Sequence, residues 1–247
     1  MALFGFLKKD VPTADMSRLQ TDIHSHFIPG IDDGAKTITD SLELIMAMES
    51  LGYSKLITTP HVMSDSYKNT PEIILDGLHK VKEALDRAGA KIQLDAAAEY
   101  YLDFEFENKI KQRNVLTFGG DKKYLLWELP FVNPPDNLNE TVFHMQTQGY
   151  KPVLAHVERY SFWHRDYSKY EELANRGILL QMNINSLTGH YSNETRKAAH
   201  WLIDNDMISF LGSDCHHLGH IKLLEQALTD KYLIKALASG KILNPTL

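Results

Sequence analysis

The 247-residue chain has one cysteine, Cys215. A single thiol excludes a disulfide framework and any cysteine-based zinc cluster, and it agrees with a reducing compartment. Basic residues are in the minority, 26 Lys and Arg against 32 Asp and Glu, for a formal net charge of −6. With no Lys/Arg block either, the chain does not read as a nucleic-acid binder. No stretch approaches the roughly 18 apolar residues of a membrane span. The opening Met1-Ala-Leu-Phe4-Gly-Phe6-Leu-Lys8-Lys9 is apolar and then basic, the reverse of a secretory signal. A cytoplasmic protein without stable membrane insertion is expected. No low-complexity or Pro/Gly/Ser-rich segment divides the chain, and 43% hydrophobic with 23% charged residues fits one globular domain. We assign residues 1–19 to an N-terminal extension and 20–247 to that domain. The extension is expected to pack on the domain, with a membrane or partner contact through Phe4, Phe6, Lys8 and Lys9 as the alternative.

Histidine is what the chain has in quantity, with 12 residues. Their meaning depends on where the elements fall. Short apolar, β-branched runs predict strands over Leu19–His24, Lys55–Thr59, Ile92–Ala98, Tyr124–Leu129, Pro152–His156, Ile178–Ile184 and Ile208–Gly212. Helical periodicity lies between them, over Thr39–Leu51, Glu72–Ala88, 136–148, 168–176, 193–205 and 221–238. The strand ends recur at about the length of one βα unit, roughly 30 residues. Seven such units predict a parallel sheet with helical crossovers, closed as a barrel or open and doubly wound.

The strand ends favour the barrel. The first carries Asp22-Ile-His24-Ser-His26, followed by Asp32-Asp33; later ones reach His61, Glu99, Glu128, His156 and Asp214-Cys-His216. In a βα barrel all carboxyl ends of strands meet on one face, whereas an open sheet would spread them along an edge. Residues two apart on a strand share a side, so His24 and His26 reach one cation or two adjacent ones, and Asp214 and His216 do likewise. The candidate ligands are His24, His26, Asp33, His61, Glu99, Glu128, His156, Asp214 and His216. Asp32 competes with Asp33, or caps the following helix. Five imidazoles with four carboxylates suit two or three divalent first-row ions. Asn183, Asn185 and Ser186 end the sixth strand without a ligand, and either line a substrate cleft or make loop hydrogen bonds. Tyr100, Tyr101, Phe131 and Tyr160 lie beside ligands, as rim aromatics or barrel-end packing.

These residues resemble the PHP (polymerase and histidinol phosphatase) superfamily, and within it the bacterial manganese-dependent protein tyrosine phosphatases linked to capsular and exopolysaccharide synthesis. Asp22-Ile-His-Ser-His-Phe-Ile-Pro-Gly-Ile-Asp-Asp-Gly-Ala35 is similar to that branch's opening motif. Thr59-Pro-His61, Ala98-Glu99-Tyr100, Glu128-Leu-Pro-Phe131, Ala155-His-Val-Glu-Arg-Tyr160, Asn185-Ser-Leu-Thr-Gly189 and Gly212-Ser-Asp-Cys-His216 follow in family order. The resemblance covers roughly residues 20–220. It implies a distorted (β/α)7 TIM-like barrel and a site for three divalent ions, manganese first, with iron or zinc as other choices. One ion would take His24, His26, Glu99 and Asp214; a second Glu99, Glu128 and His156; a third Asp33, His61 and His216. The implied substrate is phosphotyrosine, on a bacterial tyrosine autokinase that controls polysaccharide export, hydrolysed by metal-activated hydroxide. Arg159 matches the family's phosphate-binding arginine, and its planar guanidinium suits two phosphate oxygens at once.

The chain departs from the family at one point. The family carries a second arginine shortly after the last ligand histidine; here the stretch is His217-Leu-Gly-His220-Ile-Lys222, and no arginine follows Arg196. His220 and Lys222 are the candidate replacements. The expected catalytic set is therefore Arg159, His156 and Asp214, with Arg159, His220, Lys222 and Asn185 on the substrate. Cysteine-based phosphatase chemistry is excluded, because it needs Arg six residues after the nucleophile and Cys215 is followed there by Ile221. The alternatives are a small-molecule phosphomonoesterase of the histidinol phosphatase kind, and a metal-loaded regulatory module without turnover.

Overall fold

The computed structural model describes residues 12–247. Nine short strands alternate with eight helices among these residues. The strands are β1 (Thr21–Asp22), β2 (Lys55–Thr58), β3 (His61–Val62), β4 (Gln93–Ala96), β5 (Glu99–Tyr101), β6 (Tyr124–Glu128), β7 (Lys151–Leu154), β8 (Leu179–Asn183) and β9 (Phe210–Gly212). The helices are α1 (Ile38–Ser50), α2 (Pro71–Ala88), α3 (Phe104–Gln112), α4 (Leu138–Thr147), α5 (Ser168–Asn175), α6 (Asn193–Asp204), α7 (Leu218–Ala227) and α8 (Lys231–Ala238).

All pairings between these strands are parallel, in the orders β1-β2-β4 and β3-β5-β6-β7-β8-β9. The second and third expected strands are each broken in two. Pro60 cannot donate a ladder bond and separates β2 from β3; Ala97-Ala98 separates β4 from β5. A parallel bridge between Ser25 and Cys215 returns β9 to the first strand. It is held by the His26 N–H on the Cys215 carbonyl at 3.0 Å and the Asp214 N–H on the His24 carbonyl at 2.8 Å. Seven βα units, as the strand-end spacing predicts, thus form the distorted barrel that the ligand-bearing strand ends favour and the resemblance implies.

Ile23, Ile57, Leu126, Val153 and Phe210 pack as an inner cluster, distinct from the larger core under the helices. Leu126 lies two residues before Glu128 on β6, so the apolar filling leads along one strand face into the polar strand ends. Outside, α2 buries Ile74, Leu78, Val81 and Leu85, an apolar stripe of helical period. Thr70 accepts the Ile73 N–H at its start, Pro71 opens its first turn, and Gly89 ends it in the left-handed region at φ 73°.

Two helical stretches also differ from the sequence-based expectation. Helix α3 was not expected: Phe104-Glu-Phe106-Glu alternates like a strand, and only Phe106 and Ile110 are buried. The helix expected over 221–238 is two helices, because Asp230 leaves the helical path and caps α8 by accepting the Tyr232 N–H. Ala14, Met16 and Leu19 are buried, and the Ala14 N–H reaches the Leu228 carbonyl at 2.6 Å, so this part of the extension packs on the domain. Phe4, Phe6, Lys8 and Lys9 lie outside the described residues.

Candidate metal centre

Six strand ends bring the nine expected ligands together. Each of them falls in at least one convergent group of donors: His26, Asp33, His61 and His216; His24, His26 and Glu99; His24, His156 and Asp214; and His61, Glu99 and Glu128. Glu99 is the hub. Its carboxylate lies 3.1 Å from His24 Nε2, 3.0 Å from His61 Nδ1 and 2.9 Å from His156 Nε2. Asp33 joins from the half-exposed side, 3.3 Å from His216 Nε2 and 3.6 Å from His61 Nε2. Two of the positions sit on backbone that side chains other than glycine seldom adopt, His156 at φ 35° and Asp214 at φ 49°. Such conformations persist only where surrounding structure holds them, and they concentrate at functional sites.

The donor chemistry fits a cation. His24 Nε2, His26 Nε2, His61 Nδ1, Glu99 Oε2 and Glu128 Oε1 are buried without a hydrogen-bond partner, yet are turned toward one another. Buried polar atoms in native proteins are nearly always satisfied, so a cluster of facing orphans points to an ion. The far sides of the rings are tied down, as metal-binding imidazoles require. His26 Nδ1 lies 2.8 Å from Asp32 Oδ2, and His216 Nδ1 lies 2.9 Å from the Asp214 carbonyl. Asp32 therefore neither competes with Asp33 nor caps α1, whose cap is Thr37. It orients His26 and also accepts the Gly34 and His61 N–H groups.

The protein groups hold an uneven set of protons. Burial works against charge on His24, but Glu99 and Asp214 outweigh it and lift the ring to about 10. Burial and the neighbouring Arg159 take His156 down to about 4. Burial beside Glu99 pushes Glu128 up to about 7. Glu99 itself stays well below the carboxylate range, because His24 and His61 overcome its burial. A cation binding here displaces protons from the imidazoles.

A cleft of about 440 Å³ opens above the cluster, lined by Asp33, His61, Glu128, His156, Asp214 and His216 together with Met63, Tyr67, Phe131, Arg159, Tyr191, His217 and His220. Arg159 Nη1 lies 3.0 Å from Asp214 Oδ2. Its guanidinium lies 4.9 Å from the Phe131 ring centre and 4.3 Å from that of Tyr191. Tyr67 stacks on His61. His220, His217 and His190 cluster where the second arginine was missed. Two expected substrate residues lie elsewhere. Lys222 is exposed on α7, Asn185 is fully buried, and among the described residues neither lines the cleft. Ser186 is also buried and donates to Glu158 Oε1 at 2.5 Å. Tyr67, Tyr191 and Met63 were not singled out in the sequence; Tyr67 and Tyr191 stand in loops away from any ligand motif, and Met63 follows His61 by two residues without chemistry that marks it. Tyr100 and Tyr160 are packed beneath the rim, where their hydroxyls accept the Leu116 and Leu129 N–H groups. Cys215 is fully buried, and burial drives its thiol far above the usual range, which agrees with a structural role.

The family model for capsular polysaccharide synthesis, CpsB/CapC, matches residues 20–229. The chain belongs to the CpsB/CapC family. The tyrosine-protein phosphatase YwqE of Bacillus subtilis is 29% identical over 197 residues, 80% of this chain and 77% of its own length. The tyrosine-protein phosphatase CpsB of Streptococcus agalactiae is 25% identical over 202 residues, 80% of this chain and 83% of its own. A crystal structure from work describing B. subtilis YwqE and Streptococcus pneumoniae CpsB as metal-dependent tyrosine phosphatases superposes with a TM-score of 0.79 and 27% identity, covering 88% of this chain and 90% of that one. An amidohydrolase from Mycoplasma synoviae, 13% identical with a TM-score of 0.53 over 96% of this chain and 91% of its own, shares the fold alone. Among the described residues, no helix is long and apolar enough to cross a membrane.

Proposed function

We propose that this CpsB/CapC-family protein is a metal-dependent phosphotyrosine phosphatase. Residues 20–247 form its catalytic domain, and residues 1–19 are an extension ahead of it. One observation carries the reading: facing, unpartnered His and Glu atoms lie beneath a cleft whose wall holds Arg159 between two aromatic rings. His24, His26, Asp33, His61, Glu99, Glu128, His156, Asp214 and His216 would hold three divalent ions, manganese by preference. When bound, such ions supply activated water near neutral pH and offset phosphate charge.

The chain's own residues do the rest. Arg159 takes the non-bridging phosphate oxygens with its two-pronged face, as charge builds on them in the transition state. Phe131 and Tyr191 keep that face in one orientation, and with Tyr67 they offer apolar walls for the substrate's phenyl ring. His220, on the rim, adds a hydrogen bond where the family has its second arginine. Tyrosine leaves as a phenol of pKa about 10, so little help from a general acid is needed. The chemistry of the leaving group and the capsular family point to a bacterial tyrosine autokinase as partner, in the cytoplasm.

The deciding experiment compares turnover of a phosphotyrosine peptide with that of histidinol phosphate, before and after chelation and after Mn²⁺ is restored. Chelation should abolish turnover of the peptide, Mn²⁺ should restore it, and the peptide should be the better substrate. Activity untouched by chelation removes the metal role; preference for histidinol phosphate removes the protein-phosphatase reading.

A further inference from the structure

Six of the seven βα units bring candidate ligands to the cluster, and the one that starts with β8 does not. Gln181 and Asn183 stand two apart on it, so both face the same way, and both are fully buried. Gln181 Oε1 lies 2.9 Å from the His156 backbone N–H and 2.9 Å from His24 Nδ1. Gln181 Nε2 lies 2.9 Å from Asn183 Oδ1, and Asn183 Nδ2 lies 2.7 Å from Asp214 Oδ2.

The direction of every bond in this row follows from one group. A backbone N–H only donates, so the Gln181 atom facing His156 is its oxygen. That oxygen only accepts, so His24 carries a proton on Nδ1. The Nε2 lone pair of the neutral ring is then left facing Glu99 and Asp214. The other end of Gln181 must donate, so Asn183 meets it with oxygen and presents its NH₂ to Asp214. One Asp214 oxygen is thereby occupied, and the other, Oδ1, faces His24 and His26 at 3.5 and 3.4 Å.

We propose that Gln181 and Asn183 are positioning residues that set which atoms of His24 and Asp214 are offered to metal, with the His156 N–H as the reference donor. The inference rests on the metal-dependent reading above. Gly212 on β9 belongs to the same device. A Cβ there would come within 2.7 Å of Gln181 Nε2 and 2.8 Å of His24 Cβ, so only glycine leaves room for the row. The left-handed His156 also fits, since its N–H is held by Gln181.

The test uses the full chain, Mn²⁺ titration calorimetry, and nitrogen-15 histidine NMR of the Zn²⁺-loaded protein. In the unaltered protein His24 should show a proton on Nδ1 and metal on Nε2. Gln181→Met, similar in volume, should weaken Mn²⁺ binding about 10- to 100-fold and abolish the defined Nδ1–H signal. Asn183→Leu should weaken Mn²⁺ binding but keep that signal, a split that a general packing defect would not produce. Circular dichroism checks the fold, and Gln181→Asn, which keeps an amide one methylene too short, serves if Gln181→Met does not fold. Unaltered affinity in all folded variants, or a proton on Nε2 and none on Nδ1 of His24 in the Zn²⁺-loaded parent protein, overturns the proposal. Failure of the parent protein to bind Mn²⁺ or Zn²⁺ would instead overturn the metal reading on which it rests.

Discussion

Arg159 is held on three sides, by Asp214 Oδ2 at 3.0 Å and by the faces of Phe131 and Tyr191. A guanidinium fixed in this way has already lost most of its rotamer freedom before substrate arrives, so little ordering cost remains at binding. Arg159→Ala should lower kcat/KM for a phosphotyrosine peptide about 10²- to 10³-fold, the usual cost of one transition-state donor. Bound metal should remain. Arg159→Lys should recover only a small part, because an ammonium keeps the charge but neither the fork nor the planar stacking. Steady-state kinetics with metal analysis checks both. The role of Asp32 also belongs to this scale. Two adjacent aspartates are indistinguishable in sequence, but in space one reaches His61 and His216 while the other grips the back of His26.

The elements succeed or fail as signals according to how much apolar surface they bury. Helix α2 was legible because Ile74, Leu78, Val81 and Leu85 recur at helical spacing ahead of Gly89. Thr70→Ala removes the oxygen that accepts the Ile73 N–H, and should cost about 1 kcal/mol of stability. Denaturant unfolding measures it, and activity of the folded protein should be unchanged, since α2 lies on the outer layer. Helix α3 was not legible because nine residues with two buried side chains carry too little periodicity to outweigh an alternating Phe-Glu pattern. The break at Asp230 was missed for a related reason, since apolar residues continue through it while the backbone does not.

For the molecule as a whole, the ligand set places four carboxylates and five imidazoles against one another at the mouth of the barrel. Divalent ions would bind the folded chain and not the unfolded one, so Mn²⁺ should raise Tm, by about 2.7 kcal/mol of stability at a hundredfold excess over Kd. The pH dependence has a definite sign. His24 is drawn up to about 10 by Glu99 and Asp214 against its burial, so its proton competes with the ion at neutral pH. The Mn²⁺-induced rise in Tm should therefore grow between about pH 6 and about pH 8. A thermal melt with and without Mn²⁺ at each pH checks it; a rise that shrinks with increasing pH would contradict the proton displacement argued here. The net charge of −6 belongs to the chain without these ions and overstates the negative field at the site.

The amino-acid sequence by itself determined the alternation of strand and helix and eight of the nine convergent residues, with Asp33 or Asp32 as the ninth. Strand-end positions repeat at the length of a βα unit, and a barrel brings every carboxyl end to one face. Only the tertiary structure decided what surrounds them. Asp32 behind His26, Gln181 and Asn183 between His24 and Asp214, and Tyr191 against Arg159 are contacts between segments far apart in the chain or indistinguishable along it. The same holds for the two residues expected on substrate that lie away from the cleft. Lys222 follows His216 closely, but the turn of α7 faces it to solvent, and Asn185 turns inward, its amide near the Ser213 and His220 carbonyls. Local spacing fixes the side of a strand a residue occupies; which neighbour it meets depends on how the ring of strands closes.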